Sequence, residues 1–358
     1  MQKLSYLTAL RGMAALGVAG GHIIGMIPPD HPYGSFFEVT NYERTFWPLM
    51  FGGEMVWLFL FISGFSLYRS EQHRVAIFQK TTLRTFAKRR FVRIAPTYYV
   101  GILMGLLILA TGSKIAVQPS ESLATYSPVT KMGIVSHMVF LHNFSKSWVF
   151  QINPPLWTIG VEMQLYILLP LFFARTVKRN PAAFGFALVL LIKGFSHLVS
   201  IPIFYYVEWF VSGIIVSVFI DRISVQSKIL NVFIGISGIC CLSRIFTTRE
   251  KLYEAIWLIF IVSLVIRLQR IGPNSKFRNI KRLMLSVGNS SYSLYVVHFP
   301  IALFVWWLVS RNFNGRSIET IAMLIISCPL IALSTWSTYR FAEKPSIRLM
   351  TRISPVAS

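Results

Sequence analysis

Apolar residues in this chain gather into long runs, and the basic residues stand between those runs. A helix crossing the hydrocarbon of a bilayer needs about 20 apolar residues, fewer where neighbouring helices shield its ends. Ten segments answer that description: Ser5–Ile27, Glu54–Tyr68, Ile94–Thr111, Pro155–Ala174, Ala182–Ser200, Ile201–Ile220, Ile229–Ser243, Leu252–Ile266, Val287–Ser310 and Ile318–Tyr339. The fifth and sixth meet at a very tight turn, Ser200–Pro202. Backbone polar groups in lipid must be satisfied within the structure, so the expected fold class is all-α, a polytopic transmembrane bundle without a sheet. No repeat, low-complexity tract or appended soluble domain interrupts the pattern, and residues 1–358 read as one transmembrane domain.

The apolar stretch after Lys3 has the outline of a signal peptide, but Arg11 breaks it and no small-residue cleavage site follows, so a retained first helix is expected. Composition agrees with a lipid-solvated chain: 54% of residues are hydrophobic and 13% charged. The net charge of +22 would suggest nucleic acid in a soluble protein. Here the charge is a topology signal beside anionic lipid, so membrane lipid is the expected partner and nucleic acid is not. Counted over alternate loops, Lys and Arg number 24 on one side and nine on the other, with Arg11 and Lys193 inside spans. That bias puts both termini in the cytoplasm and makes the number of spans even. Cys240, Cys241 and Cys328 lie in apolar segments with neither a disulfide framework nor zinc spacing, and no metal site is expected.

Three connections are long. Residues 28–53 and 112–154 are expected to face outward and 69–93 the cytoplasm, and the apolar piece His137–Phe144 in the second outer loop has the character of a re-entrant or interfacial segment.

Ionisable groups at membrane depth are costly and mark function by default. Arg11 and His22 are eleven residues apart, which returns to within about 20° of the same helix face and separates them by about 16 Å along the axis. One stripe thus carries a cation toward the cytoplasm and an imidazole toward the outside. A snorkelling arginine and a structural interhelix histidine would leave the same trace. Glu162 stands about five residues from the outer end of its span, as His22 does in the first, and the two are expected to meet. A carboxylate that orients an imidazole fixes its tautomer for general-base work, although a structural ion pair is the plainer reading. Tyr292, Tyr295 and His298 share a face at i, i+3 spacing, which by itself suggests packing with satisfied hydroxyls. The run Lys88–Arg93 offers Arg89, Arg90 and Arg93, with Arg90 and Arg93 on one face if the third helix begins early; guanidinium groups there suit a polyphosphate, or simply a lipid surface.

Six segments in order resemble the acyltransferase-3 family of bacterial membrane O-acyltransferases. They are LTALRGMAALGVAGGH with its R-x10-H pair at Arg11 and His22, FLFISGFSL around Ser63, RRFVRIAPTYY from Arg89, NPPLWTIGVEMQLYILLP with Trp157, Glu162 and Tyr166, SYSLYVVHFPI, and AEKP. Two positions depart from the pattern. Thr8 stands where many members have an aspartate, and Thr158 where many have a serine after the tryptophan. Some relatives also carry a C-terminal hydrolase-like domain; with the sequence closing at Ser358, a stand-alone form is the expectation.

The resemblance implies an O-acetyltransferase of the bacterial cytoplasmic membrane. It would use acyl-CoA, usually acetyl-CoA, as a cytoplasmic co-substrate, with no permanently bound cofactor, and a hydroxyl of a surface or lipid-linked glycan as acceptor. It further implies His22 as catalytic base or acyl carrier with Glu162 beside it, Arg11, Arg89, Arg90, Arg93 and Ser63 at the donor, and Trp157, Tyr166, Tyr295 and His298 around the acceptor or pocket. Intramembrane His, Glu and Arg also build proton-coupled transporters, the alternative from another class, but the halves show no internal symmetry or paired broken helices.

Overall fold

The computed structural model describes residues 5–25, 51–72, 82–112, 129–172, parts of 180–190, 202–243, 250–270, 278–313 and 316–353. Among them every regular element is helical. In chain order they are α1 (Ser5–Gly25), α2 (Gly52–Gln72), α3 (Thr82–Gly112), α4 (Lys131–Met138), a 3-10 turn (His142–Phe144), α5 (Leu156–Phe172), α6 (Pro202–Phe219), α7 (Ser227–Ser243), α8 (Glu250–Gln269), α9 (Arg278–Asn289), α10 (Ser291–Asn312), α11 (Arg316–Thr338), a π turn (Tyr339–Glu343) and α12 (Lys344–Ile353). The protein is an all-α bundle, and five of these helices are long and apolar enough to cross a bilayer, with shorter apolar helices at Tyr206–Phe219 and Ser227–Leu242. The expected span Ala182–Ser200 lies mostly outside the described residues, as do most of loop 28–53 and the middle of loop 69–93.

Two helices are surrounded over much of their length. In α2, the four successive residues from Phe59 to Ile62, together with Phe65, are at most 1% exposed, and in α5 Leu156, Ile159, Val161 and Leu165 are fully buried. Such burial leaves no amphipathic stripe; a helix apolar all round belongs in the middle of a bundle. At the periphery, α7 turns Val232, Phe233, Ile236 and Ile239 outward, and α11 does the same with Ile318, Ile321 and Ile325, the lipid-facing stripe of a membrane bundle.

Close helix approach comes from small residues. Gly64 of α2 lies against the Phe210 carbonyl and Gly213 of α6 against the Phe61 carbonyl, a reciprocal contact that any Cβ would obstruct. A similar contact sets Gly12 of α1 against Gly288 at the end of α9. That last contact fixes a register. From it, α1 and the α9–α10 chain run in the same direction, and ten residues further on they bring His22 level with His298.

Two expectations about α3 and the second outer loop gain detail. Helix α3 starts at Thr82, so the arginine run is helical, and its 31 residues span about 46 Å, well beyond a hydrocarbon core of about 30 Å. The segment His137–Phe144 folds inward, with His137, His142 and Asn143 buried. It is tied to the bundle by Tyr98 Oη donating to His137 O (2.9 Å), Gln164 Nε2 donating to Phe140 O (3.0 Å), and Asn153 Nδ2 donating to Val296 O (2.9 Å). The short helices α9 and α12 carry charge on one face and apolar residues on the other. Neither is legible as a span in the sequence, because a 10- or 12-residue amphipathic helix is too short and too charged to cross a bilayer.

Candidate active site

The start of α1, the second half of α2, the first half of α3, the middle of α5, the start of α10 and α12 converge on a cavity of about 360 Å³ at the arginine-bearing end of the bundle. Arg11, Ser63, Arg89, Arg90, Arg93, Glu162 and Tyr166, seven of the eleven residues singled out from the sequence, line it. Glu162 is 4% exposed, and its Oε1 accepts from Ser63 Oγ (2.8 Å) and from Tyr166 Oη. Arg90 lies over the rings of Phe86 and Tyr166, 5.2 and 5.8 Å from guanidinium carbon to centroid. Arg11 lies 5.5 Å over Phe59. Arg93 Nη2 donates to Glu343 Oε1 (3.0 Å) while its guanidinium faces the Tyr292 ring. Arg11 Nε and Arg93 Nη1 are buried and make no hydrogen bond. Four guanidinium groups against the two carboxylates Glu162 and Glu343 leave a local excess of positive charge, held by aromatic faces in a partly dry space. That chemistry suits a multiply charged anion, which guanidinium groups bind bidentately.

His22 is elsewhere. Its Nδ1 lies 2.9 Å from His298 Nε2, the two rings are inclined by 25°, and Phe299 meets the His22 ring edge-on at 5.4 Å. His298 is fully buried and its Nδ1 is 3.1 Å from Leu294 O. The expected contact between His22 and Glu162 is therefore not made. Glu162 shares the cavity with Arg11, which stands about 16 Å along α1 from His22. Equal distance from the expected span ends does not bring the two groups together, because α5 is packed against the segment that precedes it. The inward-folded segment 131–153 sits over its first turn, and Asn153, just ahead of it, already bonds Val296, two residues short of His298.

Of the residues assigned to the acceptor, His298 is at His22, whereas Tyr166 belongs to the arginine cavity and Trp157 packs on Tyr206 (4.8 Å between centroids). Tyr295 lies between the two regions, stacked on Phe59 (5.5 Å), edge-on to His298 (5.7 Å), and with Oη 2.7 Å from Thr158 Oγ1. Arg11, Phe59, Tyr295, His298 and His22 thus form one continuous column from the cavity to the histidine pair. Sequence reasoning gives Tyr292 a packing role only, and Glu343 none beyond its place in the AEKP segment. Glu343 could have been noticed as the one carboxylate in a tail otherwise basic from Arg340 onward. Among the described residues no group of three metal-ligating side chains occurs.

The curated relatives include the O-acetyltransferase OatA of Staphylococcus aureus strains COL and MW2, each 26% identical over 322 residues, covering 80% of this chain and 51% of the relative. The chain thus spans about half the length of the curated relatives it matches. No solved structure matches it significantly. The sequence profile described as the acyltransferase domain matches residues 4–340, nearly the whole chain, and its helices are those of a multi-pass membrane protein. The chain belongs to the acyltransferase-3 family.

Proposed function

We propose that this protein is an O-acetyltransferase of the bacterial cytoplasmic membrane that takes acetyl-CoA into the arginine cavity from the cytoplasm and acetylates a glycan hydroxyl brought to His22 from the outer side. The observation that carries the reading is the column joining the two ends of α1, from Arg11 in a cavity rich in guanidinium groups to His22 at a buried histidine pair. The nucleotide phosphates of the donor engage Arg89, Arg90 and Arg93, and an extended pantetheine arm covers the rise of about 16 Å to His22. Glu162 holds Ser63 and Tyr166 and offsets part of the arginine charge, a positioning role in the donor cavity.

In the transfer, the acceptor hydroxyl gives its proton to His22 Nε2 as its oxygen attacks the thioester carbonyl. The carbon–sulfur bond breaks, and the coenzyme A thiolate leaves and takes that proton from Nε2. The name of the relatives supports acetyl as the group moved and an oxygen as the atom that receives it. The test is release of free coenzyme A from acetyl-CoA by protein in liposomes, with mass spectrometry of added glycans for an acetyl increment. His22→Ala should fold and bind donor yet lose at least about 10²-fold in turnover. Normal turnover in that variant would remove His22 from the chemistry.

A further inference from the structure

We infer that His298 sets the tautomer of His22 and so keeps its Nε2 available as the base, a positioning role that rests on the transfer proposed above. The argument starts from a backbone carbonyl, which can only accept. Leu294 O is 3.1 Å from His298 Nδ1, so the hydrogen sits on Nδ1 and donates to it. With Nδ1 protonated, a neutral His298 has a lone pair at Nε2. His22 Nδ1 lies 2.9 Å from that atom, so it must be the donor. A neutral His22 with its hydrogen on Nδ1 has its lone pair on Nε2. One carbonyl of α10 thereby favours, through two rings, the hydrogen on His22 Nδ1, and the Val18 carbonyl one turn back on α1 is a second acceptor beside the His22 ring.

The surroundings are suited to holding that state. His298 is fully buried and clamped edge-on by Tyr295, and Phe299 braces the His22 ring, while His22 itself is only half-buried. The fixed partner is fully buried and the base is the more accessible of the two rings. In the serine-protease triad a carboxylate does this work, and a base left in the wrong tautomer loses about 10⁴ in turnover. Here a second imidazole does it without a charge at membrane depth.

The experiment uses the full chain in liposomes with His298→Leu, which removes the acceptor, and His298→Gln, whose side-chain oxygen can still accept from His22 Nδ1. Folding is followed by size exclusion. Turnover should fall by about 10²-fold or more in His298→Leu and recover to within about tenfold of the original in His298→Gln. KM for acetyl-CoA should stay within about twofold in both, since the donor cavity is about 16 Å away. Solid-state NMR of protein with ¹⁵N-histidine at pH 8, the His22 signals identified by their loss in His22→Gln, reads the tautomer without substrate. We expect Nδ1–H alone at His22 in the original and in His298→Gln, and a substantial share of Nε2–H in His298→Leu, where the Val18 carbonyl is the acceptor that remains. An unchanged His22 tautomer in His298→Leu, or unchanged turnover, overturns the proposal. A tautomer shift in a protein that never releases coenzyme A would support the positioning by His298 and overturn the transferase reading instead.

Discussion

Removing the Glu343 carboxylate should destabilise the bundle more than any exposed charge would. Glu343 is 1% exposed and serves two elements at once. One oxygen pairs with Arg93 Nη2 at 3.0 Å; the other accepts from Ser293 N (3.0 Å) and Ser293 Oγ (2.6 Å). Ser293 N belongs to the first turn of α10, where helix N–H groups have no partner within the helix, and the preceding Ser290 makes no side-chain cap. Glu343 is thus a cap supplied from the π turn after α11, with its negative charge at the positive end of α10. Breaking a buried pair by deleting one partner costs about 3–5 kcal/mol, and an orphaned buried N–H about 1–3 kcal/mol. The Arg93 side chain is 20% exposed and borders a cavity, so water recovers part of this. For Glu343→Ala we expect a loss of about 3 kcal/mol; Glu343→Gln, which keeps an acceptor for Ser293 but loses the charge, should lose about half of that. Thermal unfolding of the detergent-solubilised protein should rank the three proteins in that order. The double variant Arg93→Met/Glu343→Leu should recover much of the stability, because an apolar pair carries no stranded charge. If Glu343→Ala melts with the original protein, the ion pair and the cap are both ornamental and the reasoning fails.

Two further tests address other regions. Burial holds His137 neutral, its pKa lowered from 6.5 to about 4, and lowers His142 further with the added repulsion of its stacked neighbour at 3.9 Å. A released segment would protonate near 6.5, so its open state binds more protons between pH 6.5 and 4 and the tucked state loses stability as pH falls through that window, by about 2 kcal/mol from His137 at pH 5. Hydrogen exchange of residues 131–153 should therefore speed up at pH 5 relative to pH 7.5 after correction for intrinsic rates, and equal protection would contradict the burial of these rings. At the α2–α6 crossing, Gly64→Leu should cost about 3 kcal/mol or prevent assembly of a monodisperse protein, whereas Gly53→Ala, with nothing near its Cβ position, should be neutral. A well-behaved Gly64→Leu protein would show that the helices do not approach as closely as described.

The helices were legible because hydrophobic length is a local property: α1, α10 and α11 each carry enough apolar residues in a row to announce themselves. The arginine run was legible as chemistry but not as structure, since the turns from Thr82 to Arg93 are too charged to look like part of a span. Arg11 and His22 share a stripe for a reason internal to one helix, so their separation could be worked out from helical rise alone. The partner of His22 could not. It depends on the register between α1 and α10, which is set by two glycines, Gly12 and Gly288, that are far apart in sequence. The face Tyr292–Tyr295–His298 was read as packing with satisfied hydroxyls. For Tyr292, whose Oη donates to Ile94 O at 3.0 Å, that reading holds. His298 differs because its ring is turned to another ring nitrogen.

Under the proposed transfer, the placement of charge follows from what each substrate would bring. A coenzyme A donor is a polyanion, so its site needs fixed cations, and cations are cheapest where long arginine stems begin near the membrane surface and can be paired. Helix α3 meets that condition by extending beyond the hydrocarbon, with Glu343 and Glu162 placed among its arginines. A glycan hydroxyl is neutral, so the other end needs only a base with one free lone pair. An imidazole–carboxylate pair there would bury a charge that must be desolvated and compensated. Two imidazoles anchored on one backbone carbonyl supply the same orientation from neutral groups. On this reasoning, His298→Asp should be worse than His298→Gln even though aspartate is the better acceptor, because no described cation stands beside the histidine pair to balance it. Comparing the turnover of these two variants, each checked for folding, tests whether orientation or charge is what His22 requires of its partner; higher turnover in His298→Asp would favour charge.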